Sequence, residues 1–363
     1  MLEHGPFSWR DFVPSVYHGR GMVNDLVLDR WRRLSSAARE ALARELGREL
    51  PAGFAFEELR SFGLGERTSE IALYRHRGAR FALVPGGEVT LGFDAARWSP
   101  AAEELESWRE TAAEYGLEMA IEEHIASVTG RQRTVGLPAI LAETEAAEVG
   151  WREVATDDLR VRRAAQDLGD GSQAVQVYQG DSCLRVRRGE DGRLEAHEAC
   201  RLTHADLTSE LARTGLRLPT SDEWEHLCGG GAATLFRWGD HAPCDRYPTD
   251  ISPAEAAWRE AWVLSGGKLA RPTEGFETDW DLHLRPSVCG VLIASNPYNC
   301  EVTSDPAVTR GGDGGCAICG GAGFFMGWLT LATSYFDPQT CRRDPSEPLL
   351  SGYTVRRRVL PLT

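Results

Sequence analysis

The sequence predicts an α+β protein in which a helical N-terminal segment precedes a loop-rich domain. Three observations carry this. Leu26, Leu28, Trp31 and Leu34, then Leu42, Leu46 and Leu50, recur at helix-compatible spacing. From about residue 70 the texture changes to short apolar runs broken by Gly, the pattern of strands joined by turns. From residue 229 to the end Gly, Pro, Trp and Asp are frequent and regular elements are short.

Taken in order, residues 1–70 read as a helical extension, with Ser35 or Ser36 as N-cap of a helix rich in Ala, Arg, Glu and Leu. Residues 71–363 read as the main domain. It opens with strand, turn, strand, a Pro85-Gly86-Gly87 turn and another strand. A helical stretch covers roughly 99–127, and another strand and loop follow in 133–151. Residues 152–193, charged and Gly-containing with one β-like run at 174–180, read as an insertion or local hairpin. A helix is expected over 197–214, ending at Gly215. Pro219, Thr220 and Ser221 end a strand and cap a helix from Asp222, whose first-turn acids face its positive end. Trp224 and Leu227 lie three apart on one face and dock on the core.

The formal charge is −14 with 42% apolar residues. That balance speaks against a general nucleic-acid or anionic-membrane binder, and the apolar content suffices for a core. No window of about 18 apolar residues marks a transmembrane helix. The N-terminus lacks the basic and apolar regions of a secretory signal, so a cytoplasmic protein is expected. There, nine Cys should be mostly reduced; Cys183, Cys200, Cys228 and Cys289 read as small hydrophobes.

The stretch 215–240 carries a specific pattern: Arg217-Leu218-Pro219-Thr220, then Glu223-Trp224-Glu225, then Trp238-Gly239-Asp240. It resembles the signature of the formylglycine-generating enzyme family, also called the sulfatase-modifying factor family. Val84 to Gly87 with Thr90-Leu91-Gly92, the segment 290–302, Arg310-Gly311-Gly312, and Tyr335 to Pro338 through Arg342 and Gly352 to Arg356 resemble further landmarks in the family order. The resemblance spans roughly 80–360 and implies a C-type-lectin-like fold with little regular secondary structure.

In that family the Arg-Gly-Gly segment precedes two cysteines that bind copper(I), and oxygen oxidises a substrate cysteine to formylglycine. Here Cys316 stands four residues after Gly312, the place of the first family cysteine. The second place falls on Gly321; Cys319 comes two residues earlier, and residues 323–328 replace the family's Arg-Tyr-Arg. Two thiolates suit one soft copper(I) ion, and Gly314, Gly315, Gly320 and Gly321 would let the backbone bend around it. Met326, Cys300 and Cys341 are candidate extra ligands. Structural zinc would want four ligands, and no second Cys-x-x-Cys occurs. A reversible dithiol is also open, although the surrounding Gly argues against the helix such motifs usually occupy. A Gly-rich loop with incidental cysteines is the structural alternative.

By the resemblance, Asn296, Asn299 and Glu301 are candidate calcium ligands, since calcium takes hard oxygen donors; an Asn-rich turn is the bland alternative. Trp238, Arg310, Asp313, Phe325 and Trp328 are candidate substrate contacts. The nine His show none of the spacing of the iron-binding sulfoxide synthases that share the fold. Two functions are therefore expected: a copper- and oxygen-dependent oxidase of a thiol, peptide or small molecule, or a non-catalytic binding member of the fold using Phe324, Phe325, Trp328, Tyr335 and Phe336 as contacts. The N-terminal helices are a candidate docking element for a protein partner.

Overall fold

The structure, a computed structural model, describes residues 26–168, 174–179, 182–189, 192–265, 279–338 and 344–362. It is a mixed α+β arrangement of several small sheets and short helices. No helix among the described residues is long and apolar enough to cross a membrane.

Ser35 caps the helix Ser36–Glu49 by accepting the Ala38 N–H. The helix buries Ala43 and Leu46 against a five-stranded antiparallel sheet. The sheet order is Phe54–Leu64, Arg67–His76, Ala79–Val84, Ile140–Glu143, Val359–Pro361. Tyr74, completely buried, donates its hydroxyl to the Ala43 carbonyl at 2.8 Å and ties helix to sheet. The expected helical character of residues 1–70 thus needs correction in its described part, 26–70: helix ends at Glu49, and residues 54–64 are an eleven-residue strand, while residues 1–25 lie outside the described residues. Its pairing with Arg67–His76 overrides the helix-favouring Glu and Leu in it.

The segment 151–199 forms a four-stranded antiparallel sheet with the helix Leu159–Gln166 on it and a small core of its own around Val161, Val186 and Ala196. The helix expected over 197–214 is shorter. Leu194–Ala199 is a strand of this sheet, and the helix His204–Ala212 starts only after Thr203, whose capping box with Asp206 fixes its beginning.

Thr220 caps the helix Ser221–Gly229 through a reciprocal bond with Glu223. Trp224 and Leu227 are fully buried against the sheet, as the spacing predicts. A small sheet brings distant segments together near the thiols: Cys300–Val302 pairs antiparallel with Thr309–Arg310 and parallel with Thr354–Arg356.

Candidate functional site: a dithiol turn between two cavities

The Gly-rich stretch is a sequence of enforced turns. Gly312 (φ +47°) and Gly315 (φ +82°) lie in the left-handed region, and neither has room for a side chain. A Cβ on Gly312 would stand 2.3 Å from the Asn299 carbonyl oxygen, and one on Gly315 would stand 2.1 Å from the Tyr298 ring. The carboxylate of Asp313 then accepts the N–H groups of Gly315 (2.8 Å) and Ala317 (2.9 Å). It caps a single helical turn, Cys316–Cys319. The expectation that Gly would exclude helix here is corrected. The glycines flank the turn, and the capping carboxylate starts it.

Positions three apart on a helix share a face. Both thiols are exposed, while Ala317 between them is buried and holds the turn down. Tyr115 donates its hydroxyl to the Gly320 carbonyl at the far end. The Cys319 sulfur lies 3.1 Å from the Tyr298 hydroxyl. This contact is the first cause of the upward push on the Tyr298 phenol. Cys316 lines a cavity of about 400 Å³ with Asp313, Asp337, Cys300 and Tyr353. Burial, followed by the negative fields of Asp313 and Asp337, pushes its thiol up. Burial likewise pushes the Asp313 carboxyl up.

Cys300 is buried, and its thiol points to the Gly312 carbonyl at 3.6 Å. Among the described residues no group of three or more His, Cys, Asp or Glu is placed to hold a metal ion. The turn exposes two sulfur donors, a type that suits soft ions and fewer than the four ligands of structural zinc. Cys341 and Arg342 lie outside the described residues.

The expected substrate contacts mostly belong to the interior. Arg310 is buried, donating to Ser221 Oγ (2.9 Å), the Ser334 carbonyl (2.8 Å) and Glu225 (3.2 Å). Glu225 also receives Arg133 at 3.0 Å and the Gly92 N–H. Arg310 therefore braces the fold. Phe325 is fully buried and stacked on Trp98 at 5.9 Å. Trp328, equally buried, donates its indole N–H to the Arg246 carbonyl and meets Trp238 edge-on at 5.9 Å. Trp238 itself stacks on Phe236 at 4.9 Å. Phe325 and Trp328 belong to one hydrophobic core, and as candidate substrate contacts they are corrected accordingly, whereas Trp238 is half-buried and packs against that core.

The candidate calcium ligands do not fit that ion. Glu301 is buried, and both its oxygens are taken by the fully buried Arg357, at 2.9 Å and 3.2 Å. A guanidinium there already neutralises the carboxylate a dication would need. Asn296 Oδ1 accepts the Tyr298 N–H at 2.9 Å, an Asx turn. Asn296, Asn299 and Glu301 do share a second cavity, a polar cleft of about 590 Å³ that also reaches Tyr298.

Tyr298 and Asp337 are the residues sequence reasoning missed. Neither lies within three positions of the thiols, and no spacing points to them; the left-handed Gly315 lets the turn close on Tyr298, and Asp337 shares the cavity at Cys316. No family model matches the chain, and no curated protein matches it in sequence.

Proposed function

We propose that the chain is a divergent formylglycine-generating-enzyme-like protein, with the C-type-lectin-like fold of that family. In this reading Cys316 and Cys319 hold one copper(I) ion and serve the oxygen-dependent oxidation of a thiol, peptide or small molecule. The observation that carries the reading is the position of both thiols on one exposed helical turn beside a largely apolar cavity that also holds Asp313 and Asp337. The ion would supply the one-electron steps by which dioxygen oxidises the substrate. The chain's own groups do the rest. Asp313 fixes the turn, Tyr298 holds the Cys319 sulfur, and the cavity at Cys316 offers a place for a substrate group. Burial, then the charges of Asp313 and Asp337, pushes the Cys316 thiol up, and the two carboxylates would favour a cation in place of its proton.

Oxygen uptake tests this. The copper-loaded protein is expected to consume oxygen in the presence of a cysteine-containing peptide, and Cys316→Ser to lose at least nine-tenths of that rate. Equal uptake by wild type and Cys316→Ser would end the reading.

A second reading, non-catalytic ligand binding, is favoured by the polar cleft of about 590 Å³ on the Tyr298 side. It loses most of its expected contacts, because Phe325, Trp328 and Tyr335 are buried. Phe324 and Phe336 remain half-buried.

A further inference from the structure

A third cavity, of about 600 Å³, shares no lining residue with the dithiol turn or the polar cleft. Arg32, Arg67, Thr68, Ser69, His226 and Cys289 line it. The helix Leu28–Arg33 supplies Arg32, the start of the strand Arg67–His76 supplies Arg67, Thr68 and Ser69, and the end of the helix Ser221–Gly229 supplies His226.

The charges here are not closed. Arg67 is half-buried and has no carboxylate partner among the described residues. Its bonds go to the carbonyls of Gly229 and, at 3.0 Å, Arg237. A guanidinium carries five N–H donors, so three remain. Its burial without a counter-charge lowers its proton affinity. The Arg32 guanidinium has neither a hydrogen-bond nor an ion-pair partner among the described residues. His226 is 5% exposed, and its Nδ1 has no partner among the described residues. Burial, then Arg32, pushes its imidazole down to about 4, so the ring is neutral at pH 7 and adds a donor without a charge.

The acids at the cavity do not cancel this. Glu70 is held by Arg39 and by Ser36 at 2.8 Å and 2.9 Å. Glu66 is exposed and forms no ion pair among the described residues. In a chain of 54 acids and 40 basic residues, this cavity is lined by three arginines against two acids, and the Arg32 and Arg67 guanidinium groups have no carboxylate bonded to them among the described residues, which leaves them free to take an anion.

We propose that this cavity binds a small oxyanion, a phosphate or carboxylate group, between the guanidinium groups of Arg32 and Arg67, with the hydroxyl of Ser69, on the same strand face as Arg67, as a further donor. The site is independent of the dithiol turn and stands or falls without it.

The test is thermal denaturation and calorimetric titration of the full chain with inorganic phosphate and, separately, acetate, each against chloride at equal ionic strength. At least one oxyanion is expected to raise the melting temperature saturably above chloride. The half-saturating concentration should rise at least fivefold in Arg32→Gln, an exposed side chain whose loss leaves the fold intact. Response to phosphate alone assigns a phosphate-bearing ligand, and response to acetate alone a carboxylate. Responses equal to chloride for both anions, or an Arg32→Gln response equal to wild type, would overturn the proposal. Arg67→Lys gives a second check. It keeps the charge but loses the fork, and it is expected to weaken binding while the protein still melts cooperatively.

Discussion

The Tyr298 hydroxyl sits 3.1 Å from the Cys319 sulfur, with the phenol ring against the backbone of Gly315. A chain of local constraints makes the contact: the Asx turn at Asn296 aims Tyr298, and the left-handed Gly315 lets the cysteine turn close over the ring. Tyr298→Phe removes this hydrogen bond, and is expected to cost about 1 kcal/mol in urea denaturation and to change the alkylation rate of Cys319 while Cys316 keeps its rate. Site-resolved mass spectrometry after a timed iodoacetamide pulse reads both rates. An equal change at the two thiols would point to a disturbed turn instead.

Cys316 answers to charge. Its thiol is pushed up by burial and by Asp313 and Asp337, so thiolate is scarce at neutral pH. Taking away a nearby negative charge favours the thiolate, and the sign is therefore an increase. Asp337→Asn is expected to raise the Cys316 alkylation rate at pH 7.5 by about threefold, because the thiolate fraction grows when one neighbouring charge is removed. The pH profile of the reaction should move to lower pH with it. A profile unchanged from wild type would remove Asp337 from the site.

Gly315 separates conformation from space. Gly315→Ala places a Cβ in the left-handed region and 2.1 Å from the Tyr298 ring, at a cost of about 3 kcal/mol. Gly314→Ala, also left-handed but facing open space, should cost about 1 kcal/mol. Urea denaturation of the two variants measures the difference. Equal losses would mean that the ring does not press on the turn.

Glu301 and Arg357 are both buried, and Glu301→Gln strands the guanidinium in the interior. The expected loss is about 3 kcal/mol. In the wild type, millimolar calcium should leave the melting temperature where magnesium leaves it, because Arg357 already occupies the carboxylate. A calcium-specific rise would reinstate the cation site at Asn296, Asn299 and Glu301.

Local chemistry was legible. Thr220 and Glu223 stand three apart, and so do Trp224 and Leu227, so cap and buried face could be read from neighbours in the chain. Ser35 and its helix were legible for the same reason. What failed was decided at long range. The strand Phe54–Leu64 is the exception: it pairs with Arg67–His76 across the two-residue turn Gly65-Glu66, a local hairpin whose turn glycine the sequence does show. Glu301 is claimed by Arg357, 56 positions away, and Phe325 by Trp98, so neither the lost calcium ligand nor the buried aromatics had a local signal. The thiols were found by type and spacing, whereas Tyr298 and Asp337 meet them only through turns that no periodicity encodes.

Copper(I) stoichiometry of protein purified under anaerobic, reducing conditions and challenged with a competing copper(I) chelator probes the dithiol turn most directly. One ion per chain in the wild type, falling to none in both Cys316→Ser and Cys319→Ser, is the expected result. Wild-type protein that yields all its copper to the chelator, or a Cys319→Ser variant that keeps a full equivalent, would contradict a site made by the two sulfurs together.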